Sequence, residues 1–274
     1  MDLIQLGLFA LFGLLVGSYG TLIGAGGGFI IVPVLVLFLG WGHQQAAGTS
    51  LFVVAANAIS GSFGYWRQRR IDLRTGWQFA LATMPGAIGG SYLVEYLSGR
   101  LFNTIFGALL VAVSLYLIFR PERLRGEEQT ARPPGPRGWG WTVRRFTDRH
   151  GVEHAYGFSL AWGLVLSFGV GFLSSILGIG GGIIHVPALV SLFGFPAHVA
   201  TATSLFVLSL SATAGSVTHF LIGNVVLGPG IAMAAGAITG AQIASRFAHR
   251  LRGPWLVRAL AIALTVVGIR LIIG

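Results

Sequence analysis

A glycine-rich decapeptide occurs twice in this chain, 154 positions apart, and that recurrence constrains the fold more than any other feature. Gly-Ala-Gly-Gly-Gly-Phe-Ile-Ile-Val-Pro at 24–33 returns as Gly-Ile-Gly-Gly-Gly-Ile-Ile-His-Val-Pro at 178–187. The alignment runs without a gap from Gly17/Gly171 to Gly61/Gly215, and about 19 of these 45 pairs are identical. It includes Thr49-Ser50-Leu51-Phe52-Val53, mirrored by Thr203-Ser204-Leu205-Phe206-Val207, and the offset still holds at Gly86-Ala87 and Gly240-Ala241. A long apolar chain of two related halves, each interrupted early by glycines, has the pattern of a secondary transporter built from a repeat.

Composition places the chain in a bilayer. It is 54% hydrophobic and 9% charged, where a soluble domain carries about a quarter charged residues. The 42 glycines lie within apolar stretches, which suits close helix packing and broken helices. Absence of cysteine excludes disulfides, thiolate metal sites and thiol catalysis. The net charge of +10 comes from 18 basic residues, all arginine. They gather at the ends of apolar segments, a topological signal and not a nucleic-acid surface, so no nucleic-acid partner is expected. Residues 1–23 are expected to form a helix and not a cleaved signal, because Asp2 stands where a basic region would and the apolar run continues into repeated sequence.

Apolar segments fall at about 3–23, 29–40, 45–66, 75–97 and 101–119, and again at about 157–177, 183–194, 199–222, 227–247 and 254–273. Eight are long enough to span, at roughly 20 residues each. The two that follow the glycine clusters are too short, and read as half-helices or arms of re-entrant hairpins. Two transmembrane repeats, 1–119 and 156–274, are thus joined by an Arg/Pro/Gly-rich linker at 120–155. Arginines cluster at Arg67–Arg74, through the linker, and at Arg246–Arg258. An odd number of passes per half puts all three clusters on the cytoplasmic side, as the positive-inside rule requires. The expectation is an all-α polytopic membrane protein of two inverted-topology repeats, each with about four spanning helices plus a short broken helix after a Gly-rich break. Both chain ends then face away from the cytoplasm.

The candidate site follows from the repeat. Gly26, Gly27 and Gly28, with Gly180, Gly181 and Gly182, would interrupt helices at matching depths, and Pro33 and Pro187 suit the first turn of a helix that resumes just beyond. Each break would expose backbone N–H groups at a helix start, where an anion is favoured; tight packing is the other reading of these glycines. Thr49, Ser50, Thr203 and Ser204 open the next segment of each half, either as helix caps or as hydroxyl donors to an anionic substrate. Asn57, aligned with Ser211, could add an amide donor. His185 stands where the first half has Ile31 and is the candidate proton carrier, with neutral packing as the alternative; His219, aligned with Tyr65, is a weaker one. Of eight acids only Glu95 lies within an apolar segment, near its end. A cation pump built on a buried carboxylate is therefore disfavoured, and an anion is the expected substrate. No His-Glu-x-x-His, nucleophile elbow or Walker A is present, so no catalytic residue, metal, cofactor or ATP drive is expected.

With Gly48-Thr49-Ser50-Leu51 following the glycine motif, and both elements doubled, the chain resembles the TauE/SafE sulfite exporter family of membrane permeases. The resemblance covers nearly everything outside the linker. It implies a multi-pass carrier of the bacterial inner membrane for sulfite, sulfonates or related organic anions, by alternating access, with a homodimer by analogy. The chain departs from a symmetric motif where Gly48 becomes Ala202 and Ile31 becomes His185. Two rival functions use the same residues differently: an anion channel, and an intramembrane enzyme or assembly factor acting on lipid.

Overall fold

The computed structural model describes residues 2–119, 140–147, 153–247 and 254–273. The greater part of the linker, with most of its arginines, lies outside the described residues, as do Arg250 and Arg252.

The chain is mostly helical. Helix α1 (Leu3–Ile23) leads through the first glycine cluster to the short α2 (Gly28–Pro33); α3 (His43–Arg67), α4 (Leu73–Leu93) and α5 (Gly99–Phe119) follow. The second half runs α6 (Leu160–Leu177), the short α7 (Gly182–Ser191), α8 (Ala197–Leu221), α9 (Leu227–Phe247) and α10 (Pro254–Ile273). Among the described residues, six helices, α1, α3, α5, α6, α8 and α9, are long and apolar enough to cross a membrane. Helix α4 is also 21 residues long, but Arg74, Thr75 and Gln78 make its first turns polar.

The helices pack in matched pairs. α1 lies along α9 as α4 lies along α6; α3 meets α9 as α8 meets α4; α3 crosses α8, and α5 packs on α10. Each pair has its counterpart at the repeat offset. Small residues let these backbones approach: Gly13 and Gly17 of α1 face Met233 and Ala237 of α9, while Gly86 and Gly90 of α4 face Phe168 and Phe172 of α6. Many of the glycines are therefore packing residues, as in other membrane helix interfaces. Helices α3 and α8 are the most enclosed spans, and Leu51, Val54, Ala58, Leu205, Leu208 and Ala212 fill the centre between them. Large apolar side chains on the outer faces, such as Leu8, Leu11, Leu15, Leu81, Phe119 and Ile262, are exposed, as a lipid-facing surface requires.

The all-α expectation needs one correction. Strands β1 (Trp141–Thr147) and β2 (Glu153–Ser159) form an antiparallel hairpin, with Trp141 opposite Ser159 and Arg144 opposite Tyr156. Aromatic and β-branched residues favour a pleated, half-buried surface there. Tyr156 and Phe158 on its inner side pack against Phe195 and Phe193, and Phe158 also meets Phe79 of α4. Strand β2 runs on to Ser159, so the first helix of the second half begins at Leu160 and not near 157.

The prolines also sit differently from expectation. Pro33 ends α2 and Pro187 lies within α7, each six residues into its helix. The helices resume directly at Gly28 and Gly182 because the preceding glycines complete the change of direction. Pro33 cannot donate to the residue four before it, and the chain continues as a wider π-helical turn over Val34–Phe38.

Candidate functional site

Both predicted breaks are present and their geometry is the same. Helix α1 ends on left-handed Gly24 (φ 81°), and Gly26 (76°) and Gly27 (91°) repeat that conformation before α2. In the second half the values are 68° at Gly178, 79° at Gly180 and 78° at Gly181. Only glycine adopts such a run of positive φ without steric cost.

The breaks cross each other at backbone contact. A Cβ on Gly28 would stand 2.8 Å from the Ile179 Cα, and one on Gly182 would stand 2.6 Å from the Ala25 Cα. The start of each short helix therefore rests on the end of the other half's first helix. That arrangement faces the positive end of one helix dipole with the carbonyls at the negative end of another. The N–H groups of Gly28 and Phe29, and of Gly182 and Ile183, have no intrahelical partner, as at any helix start. Val54 and Leu208, which occupy matching positions, cover both glycine turns; a Cβ on Gly26 would be 2.7 Å from a methyl carbon of each. Gly26–Gly28, Gly180–Gly182, Val54 and Leu208 are all buried. The crossing is sealed in this conformation.

Four hydroxyls join the opposite halves here, two of them at the crossing itself. Ser50 Oγ donates to the Gly178 carbonyl at 2.7 Å, and Ser204 Oγ to the Gly24 carbonyl at 3.3 Å. Thr49 Oγ1 accepts from Val226 N at 3.0 Å, and Thr203 Oγ1 from Asp72 N at 3.1 Å. All four side chains are buried. They lie in the second and third turns of α3 and α8, so they do not cap their own helices; the threonines instead hold the chain where α4 and α9 begin. Asn57 extends the set in the first half alone. Its Nδ2 donates to the Gly26 carbonyl at 3.3 Å, and its Oδ1 accepts from Thr21 Oγ1 at 3.2 Å. Ser211 is too short to copy this and turns back to Leu208 O at 3.5 Å.

The histidines differ in their surroundings. His185 is buried on α7 with Ser167 Oγ 3.3 Å from its Nε2, and the Phe79 ring meets it edge-on at 5.7 Å. His219 Nε2 lies 3.1 Å from the Ser175 carbonyl. Its counterpart Tyr65 donates to the carbonyl of the matching residue, Thr21, also at 3.1 Å.

Sequence reasoning passed over Asp72, which is buried at the N-cap of α4. Its carboxylate accepts from Thr75 N (3.1 Å), Thr75 Oγ1 (2.5 Å) and the Tyr156 hydroxyl (2.6 Å), with Arg144 Nε 4.0 Å away. Arg144 also donates to Thr75 Oγ1 and Gln78 Oε1. Burial foremost, then the Asp72 charge, raises the Tyr156 phenol well above its ordinary range, with Arg144 opposing. The hairpin is thereby fastened to α4, and through Asp72 N and Thr203 to α8. Asp-x-x-Thr directly after an arginine cluster was the legible sign of that cap.

Among the described residues, six helices long and apolar enough to span, around two crossed and buried chain breaks, define a polytopic membrane protein. The sulfite exporter TauE/SafE family profile matches residues 9–271, and the chain belongs to that family. It is 33% identical over 267 residues to the probable membrane transporter protein YunE of Bacillus subtilis, covering 95% of this chain and 94% of that one. A probable membrane transporter protein of Haemophilus influenzae is 28% identical over 91% of this chain and 88% of its own length. Probable membrane transporter protein MJ0441 of Methanocaldococcus jannaschii is 26% identical over 79% and 73%. No solved structure matches the chain. The protein is a multi-pass membrane transporter and not an enzyme.

Proposed function

We propose that this transporter is a secondary carrier of a small anion, sulfite or a sulfonate, that works by alternating access between two inverted repeats. The observation that carries the proposal is the crossing itself. Each half brings a broken helix to the centre, each helix start rests on the other half's backbone, and buried serines donate across the contact. An anion entering between the breaks would take up the N–H groups at the two helix starts. Ser50 and Ser204 would turn their hydroxyls from the Gly178 and Gly24 carbonyls to the ligand, and Asn57 would add its amide on one side. Binding there would require the sealed arrangement described above to open between the two halves. The family description supports sulfite as the first substrate to try.

A carrier and a channel are separated by counterflow. In proteoliposomes holding the purified chain, unlabelled sulfite inside should accelerate entry of labelled sulfite several-fold; a channel gives no acceleration, and that result would overturn the alternating-access reading. The reciprocal pairing of α1 with α9 and α4 with α6 supports inverted halves. In the orientation proposed from arginine placement, Asp2 lies outside and Arg67 on the cytoplasmic side. In this cysteine-free chain, an Asp2→Cys variant should react with an impermeant maleimide in right-side-out vesicles, and Arg67→Cys only after permeabilisation. The opposite labelling pattern would contradict the proposed orientation.

A further inference from the structure

We propose that His219 is a proton-binding site of this transporter, and that Asn224 and Glu95 tie its protonation to the loop that starts α9. The inference rests on the carrier reading above for its role in transport, but not for the existence of the proton site. Its basis is a continuous set of polar contacts running from the surface to the second break. Exposed Glu95, on the turn after α4, accepts from Asn224 Nδ2 at 2.6 Å. The same amide nitrogen lies 3.3 Å from His219 Nδ1, and His219 Nε2 lies 3.1 Å from the Ser175 carbonyl. Ser175 is in the last turn of α6, three residues before Gly178, whose carbonyl takes the Ser50 hydroxyl.

These partners fix the protonation state. A carbonyl can only accept, so Nε2 carries a hydrogen; an amide NH2 can only donate, so Nδ1 is a bare acceptor. His219 is therefore held neutral, with its one free lone pair occupied by Asn224. A proton arriving at Nδ1 would meet an N–H donor there. The amide must turn over or swing away, and the Glu95 carboxylate is the negative group placed to compensate the imidazolium. Among the described residues, Glu95 is the charged side chain that joins this set, through Asn224. From α3, His43 is engaged at the nearby Leu97 carbonyl, 2.9 Å from its Nε2; from α6 and α4, Ser175 and Ser91 contribute only hydroxyls, 2.6 Å apart.

Releasing Asn224 acts on the transport site because of where that residue stands. It lies two residues before Val226, whose N–H is held by Thr49 beside Ser50. The first half has no such device: Tyr65 replaces His219, and Arg70 stands where Asn224 does. One proton site in one half gives the two halves different chemistry at equivalent positions. His185, by comparison, has Ser167 as its polar partner and no connection to a surface carboxylate among the described residues.

The test uses the full chain carrying Val225→Cys, a half-buried loop position beside Asn224, and N-ethylmaleimide as the probe. Labelling is followed from about pH 8 to pH 5, the interval around the ordinary histidine range, and normalised to the same thiol in a His219→Gln background. Glutamine can donate to Ser175 and accept from Asn224, but it cannot take a proton. The normalised rate should rise about three- to ten-fold as pH falls, the population change expected on losing one neutral hydrogen bond. Glu95→Gln, a change at an exposed position, should lessen the rise over this interval, because the imidazolium loses its compensating charge. Identical profiles with and without His219 would overturn the proposal. In proteoliposomes, acceleration of labelled sulfite uptake by a pH gradient should vanish in His219→Gln and persist in His185→Gln; the reverse pattern would also overturn it. If the wild-type chain moved no sulfite, the substrate reading would fall while the labelling series still decided the proton site.

Discussion

Alanine at Gly28 or Gly182 is expected to cost this protein its fold before it costs it a substrate. The new Cβ at Gly28 would stand 2.8 Å from the Ile179 Cα, and at Gly182 2.6 Å from the Ala25 Cα, with backbone on both sides of the contact. Neither neighbour is a flexible side chain that could turn aside, so the crossing of the two halves must open. Overpacking of this kind costs about 1–3 kcal/mol at one site, occasionally more, and the double substitution strikes both sides of one contact. At Gly27 and Gly181 the penalty has a second source. Their φ values of 91° and 78° are strained for any residue with a side chain, at about 1–2 kcal/mol. Thermal unfolding in detergent, followed by tryptophan fluorescence, should show lower midpoints for all four single variants. Alanine at Gly7, inside α1 where no atom lies within 4 Å of the added carbon, should leave the midpoint at or slightly above its wild-type value. Equal midpoints for Gly7→Ala and Gly28→Ala would show that the halves do not meet as described.

Much of this architecture was legible in the residues, for identifiable reasons. A run of positive φ admits little but glycine, so the breaks at Gly24–Gly28 and Gly178–Gly182 showed themselves by residue type and by repetition. The described long helices follow the apolar segments because hydropathy and length suffice to mark them. Partners were not legible, because they depend on how the halves cross. Ser50 and Ser204 read either as caps of their own helices or as substrate donors, and their acceptors, the Gly178 and Gly24 carbonyls of the opposite half, were not visible. Pro33 looked like a helix start because proline favours a first turn; left-handed Gly27 lets the helix begin earlier. The hairpin at Trp141–Ser159 was missed because a charged, glycine-containing stretch beside a linker reads as linker, and its apolar residues only make sense against Phe79, Phe193 and Phe195. Asp72 lies outside every apolar segment, and only the fold shows that the Thr75 amide and hydroxyl and the Tyr156 hydroxyl make it a buried junction between hairpin and helix.

The serines at this crossing are proposed to hold the transported anion as well as the two halves. Ser50→Ala and Ser204→Ala each remove a hydroxyl and almost no volume. As structural donors alone they would lower stability, Ser50 more than Ser204 because its bond is 2.7 Å against 3.3 Å, by about 1–3 kcal/mol for a buried acceptor left unpaired. Substrate affinity would then be unchanged. As ligands they contribute a charge-assisted hydrogen bond, and loss of one weakens binding by about 1.5–3 kcal/mol, or roughly ten- to a hundred-fold. The direct measurement is sulfite affinity of the purified chain by isothermal titration calorimetry, for the wild type, both single variants and the double variant. The account predicts that each single change weakens binding at least about ten-fold and that the double variant binds more weakly still. Wild-type affinity in well-folded single and double variants would mean that these hydroxyls only clamp the two halves together, and that the anion binds elsewhere.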